Sequence, residues 1–156
     1  MRRTALAARR VAPVNSALGV ALNIRPVLPS EIDQVRSLLS ACGWDHRAAD
    51  LMRLDELLSR SQVALVAIED GVGVIGFARA LTDGISNGYV SMLAVHKSHR
   101  RRGVGSALMH ACMGTDLKMT WVLRAGRPGL INFYERLGFK VSSVTMERPR
   151  MPEGDA

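Results

Sequence analysis

The chain has 156 residues, 47% of them apolar and 22% charged, which excludes a disordered composition and is enough for one domain with its own core. No apolar run reaches the roughly 18 residues that a membrane-crossing helix needs; the longest candidate, Val63 to Ile68, has strand length. The formal net charge is +7, but Arg2, Arg3, Arg9 and Arg10 supply four of those charges and no acidic residue precedes Glu31, so the chain beyond Ala21 carries only +3. That excess clusters in His99-Arg100-Arg101-Arg102, which indicates one local anionic site rather than a nucleic-acid footprint. Aromatic residues make up only 4% of the chain, too few for a base-stacking set. Cys42 and Cys112 have neither zinc-ligand nor C-x-x-C spacing, so no metal is expected, and two reduced thiols point to a cytoplasmic setting.

In chain order, residues 1–21 contain Pro13 and Asn15-Ser16 as breakers and read as a disordered basic extension, with an organelle leader or an upstream start as alternatives. A strand is expected over Ala21–Val27. A helix follows, capped by Ser30, with Ile32, Val35, Leu38 and Leu39 on one face up to Gly43; a second carries Leu51, Leu54, Leu57 and Leu58. Three strands come next, Gln62–Glu69, Val74–Leu81 and Tyr89–Val95, the first two joined by the turn Asp70-Gly71-Val72-Gly73. The spacing of Val104, Ala107, Leu108, Ala111 and Cys112 predicts an amphipathic helix over Gly103–Met113, stopped by Gly114. A strand at Met119–Leu123, a helix at Pro128–Leu137 ended by Gly138, and a last strand at Lys140–Glu147 complete the pattern. The order β-α-α-β-β-β-α-β-α-β defines an α/β (α+β) fold with a mixed sheet and helices on both faces, one domain over residues 22–148 and a loose tail over 149–156.

The most informative segment is Arg100-Arg101-Arg102-Gly103-Val104-Gly105-Ser106, directly after a strand and at the first turn of a helix. A helix start has N–H groups without intrahelical acceptors and a partial positive charge, so it holds a phosphate where side chains leave room. Gly103 and Gly105 leave that room, and the arginines add charge-assisted hydrogen bonds. A solvated basic turn is the plainer alternative. The segment lacks the third glycine of a dinucleotide fingerprint and the Gly-Lys-Ser/Thr of a P-loop.

Arg100-x-x-Gly103-x-Gly105 resembles the acetyl-CoA motif Arg/Gln-x-x-Gly-x-Gly/Ala of the GNAT superfamily of N-acetyltransferases, and Phe133-Tyr134-Glu135-Arg136-Leu137-Gly138-Phe139 resembles that family's "FYERLGF" segment. The resemblance covers about Leu22 to Glu147 and implies a mostly antiparallel GNAT-like sheet. It implies that Leu93, Ala94 and Val95 pair with the pantetheine arm of acetyl-CoA, and that Arg100, Arg101, Arg102, Gly103, Val104, Gly105 and Ser106 hold its pyrophosphate. It also implies that Tyr134 donates to the departing thiolate, although a core aromatic is the alternative from helical spacing.

Two positions depart from the family pattern. Ser91 and Met92 stand where many members carry an acidic base, and Arg127 stands where an asparagine precedes the tyrosine by seven residues. Asp83, His96 or a water relay are the substitutes for the base. Trp44 and His46 lie where relatives often build the acceptor pocket, and Trp44 is equally readable as a structural plug. Gly43-Trp44, Phe77–Gly84 and Phe133–Phe139 resemble the small-amine, arylalkylamine-like branch. The expected activity is therefore transfer of an acetyl group from acetyl-CoA to a primary amine by direct attack on the thioester. A peptide or protein amine as acceptor, a non-catalytic acetyl-CoA sensor and a homodimer remain open.

Overall fold

A computed structural model describes residues 14–15, 21–44 and 51–150 of the chain. The chain divides into two compact units, Met1–Arg124 and Ala125–Ala156.

In the first unit, β2 (Ala21–Pro26), β3 (Val63–Glu69), β4 (Gly73–Thr82), β5 (Asn87–Val95) and β6 (Thr120–Leu123) form a sheet in that spatial order. Successive strands are antiparallel up to β5, and β6 joins β5 in parallel. The mixed, mostly antiparallel sheet expected from the sequence is therefore present. Within the segment read as an extension, a two-residue strand, β1 (Val14–Asn15), pairs antiparallel with Leu22 and Ala21. It covers the outer edge of β2, where unpaired backbone groups would otherwise face solvent.

Helices α1 (Ile32–Ala41) and α2 (Leu51–Ser59) lie on one face. There Val35, Leu38, Leu39, Leu54 and Leu58 close over Val66, Phe77, Met92 and Ala94. Phe77, Leu39 and Leu54 are fully buried, each stabilising the fold by about 1.5–3 kcal/mol. The expected Ser30 cap is not used. A 3₁₀ turn, Pro29–Glu31, leads into α1, and the Glu31 carboxylate accepts the Leu28 N–H at 2.9 Å while pairing with the Arg25 guanidinium. A longer acidic side chain one residue on has displaced the serine.

Helix α3 (Val104–Met113) packs on the opposite face, because neighbouring residues of a strand point to opposite sides. Its seat is Gly76 of β4: a β-carbon there would stand 2.8 Å from Leu108 Cδ1 and 3.0 Å from Val104 Cγ1. Both partners are buried, so neither can swing away. The missing side chain thus fixes how close the start of α3 comes to the sheet.

The second unit contains the short helix α4 (Leu130–Glu135), entered through Gly129 at φ 83°. The Tyr134 carbonyl accepts the N–H groups of Leu137 and Phe139 at 2.9 and 3.1 Å, and the Tyr134 ring meets Phe133 and Phe139 edge-on. The strand expected over Lys140–Glu147 is not formed. With period two, Val141 falls on one face and Val144 and Met146 on the other, so neither face is apolar enough to bury. All three are exposed, and Ser142 Oγ instead accepts the Val144 N–H and the Thr145 hydroxyl, the local bonding by which serine competes with a ladder.

Gly76→Val should lower stability by about 1–3 kcal/mol through overpacking against Leu108 and Val104, read as a reduced denaturant midpoint, whereas Gly71→Val, with nothing within 4 Å of its added β-carbon, tests the backbone conformation alone.

Candidate functional site

The site begins where β5 and β6 part. Their parallel ladder runs from Asn87↔Thr120 to Val90↔Leu123, where β6 ends. β5 continues to Val95 and stays paired on its other side to β4 as far as Gly76↔Val95. Residues 91–95 thus lie beyond the β6 ladder on one edge. Within this stretch the β4 register slips, Arg79 facing Met92 and Ala80 facing Val90, which makes Ser91 the extra residue of a bulge and sharpens the twist. Buried Arg79 donates from Nη1 to Ser91 Oγ at 2.8 Å and from Nε to Ser61 Oγ at 2.7 Å.

The chain then turns into α3. The His96 N–H donates to the Ile75 carbonyl at 2.8 Å, and a 3₁₀ turn, Lys97–His99, follows. Arg100 is extended, Arg101 takes a left-handed conformation at φ 61°, and Gly103 takes another at φ 82° as the N-cap of α3. Left-handed residues among right-handed ones gather backbone N–H groups into an anion-binding concavity. The Ala107 N–H is bonded to the Gly103 carbonyl at 2.9 Å, while the N–H groups of the helix's first three residues precede the first intrahelical acceptor. Among the described residues, its two chain neighbours apart, no atom lies within 4 Å of where a Gly103 β-carbon would be, so no side chain there crowds those donors. The residues present fit the pyrophosphate of an acyl-CoA at this helix start and an extended arm along residues 91–95.

The arginines divide the work. Arg100 turns back, donating from Nε to the Val95 carbonyl at 3.1 Å and from Nη2 to Cys42 Sγ at 3.7 Å, and the Cys42 thiol lies 3.5 Å from the same carbonyl. The structure therefore brings Val95 and Arg100 into contact, and it engages the Val95 carbonyl in doing so. Arg101 is exposed and Arg102 half-buried.

Asp83 is placed otherwise than a base requires. Its Oδ1 accepts the N–H groups of Ile85, Ser86 and Asn87 at 2.8, 2.8 and 3.0 Å, and its Oδ2 takes the Ser86 hydroxyl at 2.5 Å. The Ser86 hydroxyl first, and then these N–H groups, hold the carboxyl far below its ordinary range, which makes it a weak proton acceptor. The residue closes the β4–β5 loop. His96 is exposed, with Nδ1 taking the Ser98 N–H at 3.4 Å and lying 2.8 Å from the Ser98 hydroxyl. Trp44 packs against the α1/α2 core and donates its N–H to the Leu39 carbonyl, while His46 lies outside the described residues. In the second unit, Tyr134 is buried, and burial raises its phenol above the ordinary value. Burial likewise pushes the Cys112 thiol up to about 12. Sequence reading missed the contact between His99 Nε2 and Glu69 Oε2 at 2.9 Å, because no local pattern links a turn to the end of a distant strand.

A strand edge released from its ladder, followed by a glycine-opened helix start and a cluster of arginines, defines a site for an extended, phosphate-bearing ligand. The sequence model of the Acetyltransferase (GNAT) domain matches residues 60–141, a span that includes both the loop and Tyr134; the chain belongs to this family. It is 29% identical over 112 residues to the GCN5-related N-acetyltransferase 1, chloroplastic, of Arabidopsis thaliana, covering 69% of this chain and 55% of that protein. It is 24% identical over 109 residues to the uncharacterized N-acetyltransferase ycf52 of Porphyra purpurea, covering 68% and 63%. The chain thus spans less than two thirds of the length of these relatives. Among solved structures, a GNAT family acetyltransferase from Streptococcus pneumoniae superposes with a TM-score of 0.68 at 28% identity, covering 86% of this chain and 98% of that one. Ard1 from Thermoplasma volcanium gives 0.62 at 27%, covering 80% and 86%.

Asp83→Asn should accelerate hydrogen exchange at the Ile85, Ser86 and Asn87 amides and leave acetyl transfer within about threefold, since a group so stabilised is a poor base; a loss of about 10²-fold with a displaced acid limb in the pH profile would instead make Asp83 the base.

Proposed function

We propose that the chain is an acetyl-CoA-dependent N-acetyltransferase acting on a primary amine. The observation that carries this reading is the junction of β5 and α3: strand residues 91–95 beyond the end of β6, then left-handed Arg101 and Gly103 opening the helix. Acetyl-CoA supplies the acetyl group already activated as a thioester. The backbone of Leu93 and Ala94 aligns the pantetheine arm, the N–H groups of Gly103, Val104, Gly105 and Ser106 take the pyrophosphate, and Arg101 and Arg102 neutralise it.

In the transfer, the amine lone pair forms the new C–N bond, the C–S bond breaks, and its electrons leave with sulfur. Tyr134 stabilises that sulfur. Its buried phenol keeps its proton at neutral pH, and full transfer to a thiolate is uphill by about 2 kcal/mol even from ordinary values, so a hydrogen bond is its contribution. An alkylammonium near pKa 10.4 is neutral in only about one molecule in 2,500 at pH 7, so the amine must first lose a proton. With Asp83 held as a weak base, that proton passes to His96 or to water, and the second proton, shed by the nitrogen as the amide forms, is taken up by the departing thiolate.

The acceptor reading is a small, arylalkylamine-like amine, on the strength of Gly43-Trp44, Phe77–Gly84 and Phe133–Phe139. Two buried thiols, Cys42 and Cys112, support a cytoplasmic setting. Among the described residues no helix is long and apolar enough to cross a membrane.

Incubation of acetyl-CoA with pooled small amines and peptides should give an acetylated small amine by mass spectrometry. Tyr134→Phe should lower kcat by about 10²-fold while leaving the acetyl-CoA Kd within about twofold. Acetylated peptides alone would move the acceptor class, and cofactor binding without any product would favour a sensor.

A further inference from the structure

Behind the basic loop lies a continuous hydrogen-bonded chain of side chains whose inner end, Glu69 and His99, the transfer itself does not use. Glu69, the last residue of β3, approaches His99 Nε2 through Oε2 at 2.9 Å. The other ring nitrogen of His99 lies 2.9 Å from Ser98 Oγ, and that oxygen lies 2.8 Å from His96 Nδ1. His99 is 8% exposed, and the two imidazoles meet edge-on at 5.6 Å.

The Ser98 backbone N–H donates to His96 Nδ1. A carboxylate only accepts, so Nε2 of His99 donates to Glu69.

We propose that Glu69 and His99 are positioning residues of the donor site: their buried pair fastens the Lys97–His99 turn, and with it the Arg100–Ser106 loop, to the end of β3, and so sets the affinity for the pyrophosphate of acetyl-CoA. The inference rests on the donor reading given above. Three fixings define the loop's path. His99 is tied to Glu69 on β3, Arg100 to the Val95 carbonyl and Cys42, and α3 to Gly76. Of these, only the His99 pair precedes the left-handed Arg101 and anchors to an element outside β5 and α1.

The test compares Glu69→Gln and His99→Gln with the wild-type protein on two donors, acetyl-CoA and S-acetylpantetheine, the second lacking the pyrophosphate. Titration calorimetry with coenzyme A should show binding about tenfold weaker in either variant, the scale of a lost charge-assisted bond. The KM for acetyl-CoA should rise by a similar factor with kcat within about twofold, and kcat/KM for S-acetylpantetheine should not change. Unchanged coenzyme A affinity or an equal loss on both donors would overturn the proposal. A wild-type chain that binds no coenzyme A would overturn the donor reading itself. Should Glu69→Gln fail to fold, Glu69→Asp, which keeps the charge and lengthens the contact, serves in its place with the same expectations for the two donors.

Discussion

The parting of β5 from β6 is the constraint on which the rest of the site depends. Buried backbone N–H and C=O groups need partners, and a ladder that stops at Val90↔Leu123 while β5 runs on to Val95 leaves one edge to be satisfied by something else. The bulge at Ser91 enforces the divergence by twisting β5 where it leaves its neighbour. The chain meets part of the demand itself, since Arg100 and Cys42 both reach the Val95 carbonyl. The remainder of that edge lies beyond the β6 ladder.

Placement of the positive charge follows from that geometry. β5 delivers the chain to its C-terminal end, and the return must begin at once for α3 to cross the face of the sheet over Gly76. A tight return costs strained backbone: Arg101 sits at φ 61°, a conformation that costs an ordinary residue about 1–2 kcal/mol. The Glu69–His99 pair and the Arg100 contacts stabilise it. The same strain collects N–H donors at the point where the helix dipole is positive. Charge, donors and strain therefore share one cause, the shortness of the connection between strand and helix.

How much of this was legible in the sequence depends on the range of the interaction involved. Periodicity located α1, α2 and α3 because each buries one face against the sheet, and Gly103 and Gly114 bracketed α3 because each takes a positive φ at its end. The loop was legible for the same local reason. Residues 140–147 misled, because valines, a threonine and a methionine look strand-like residue by residue while Val141 and the pair Val144 and Met146 fall on opposite faces. An aspartate after a strand reads equally as a base or as the cap of a turn, and the cap becomes visible only in the positions of three N–H groups around Asp83. The Glu69–His99 pair had no local signal at all, since it depends on the register that brings the end of β3 beside the turn after β5.

The absence of an acid at position 91 has a physical logic of its own. Ser91 Oγ lies 2.8 Å from Nη1 of the buried Arg79, and an opposite charge at such a distance lowers a carboxyl pKa by about 1–3 units. A glutamate or aspartate reaching the same guanidinium would be held ionised as an ion pair, and its basicity would fall when basicity is what the amine requires. A serine instead gives the arginine an acceptor without adding a charge at this position, and Ser61, just past the end of α2, gives it another.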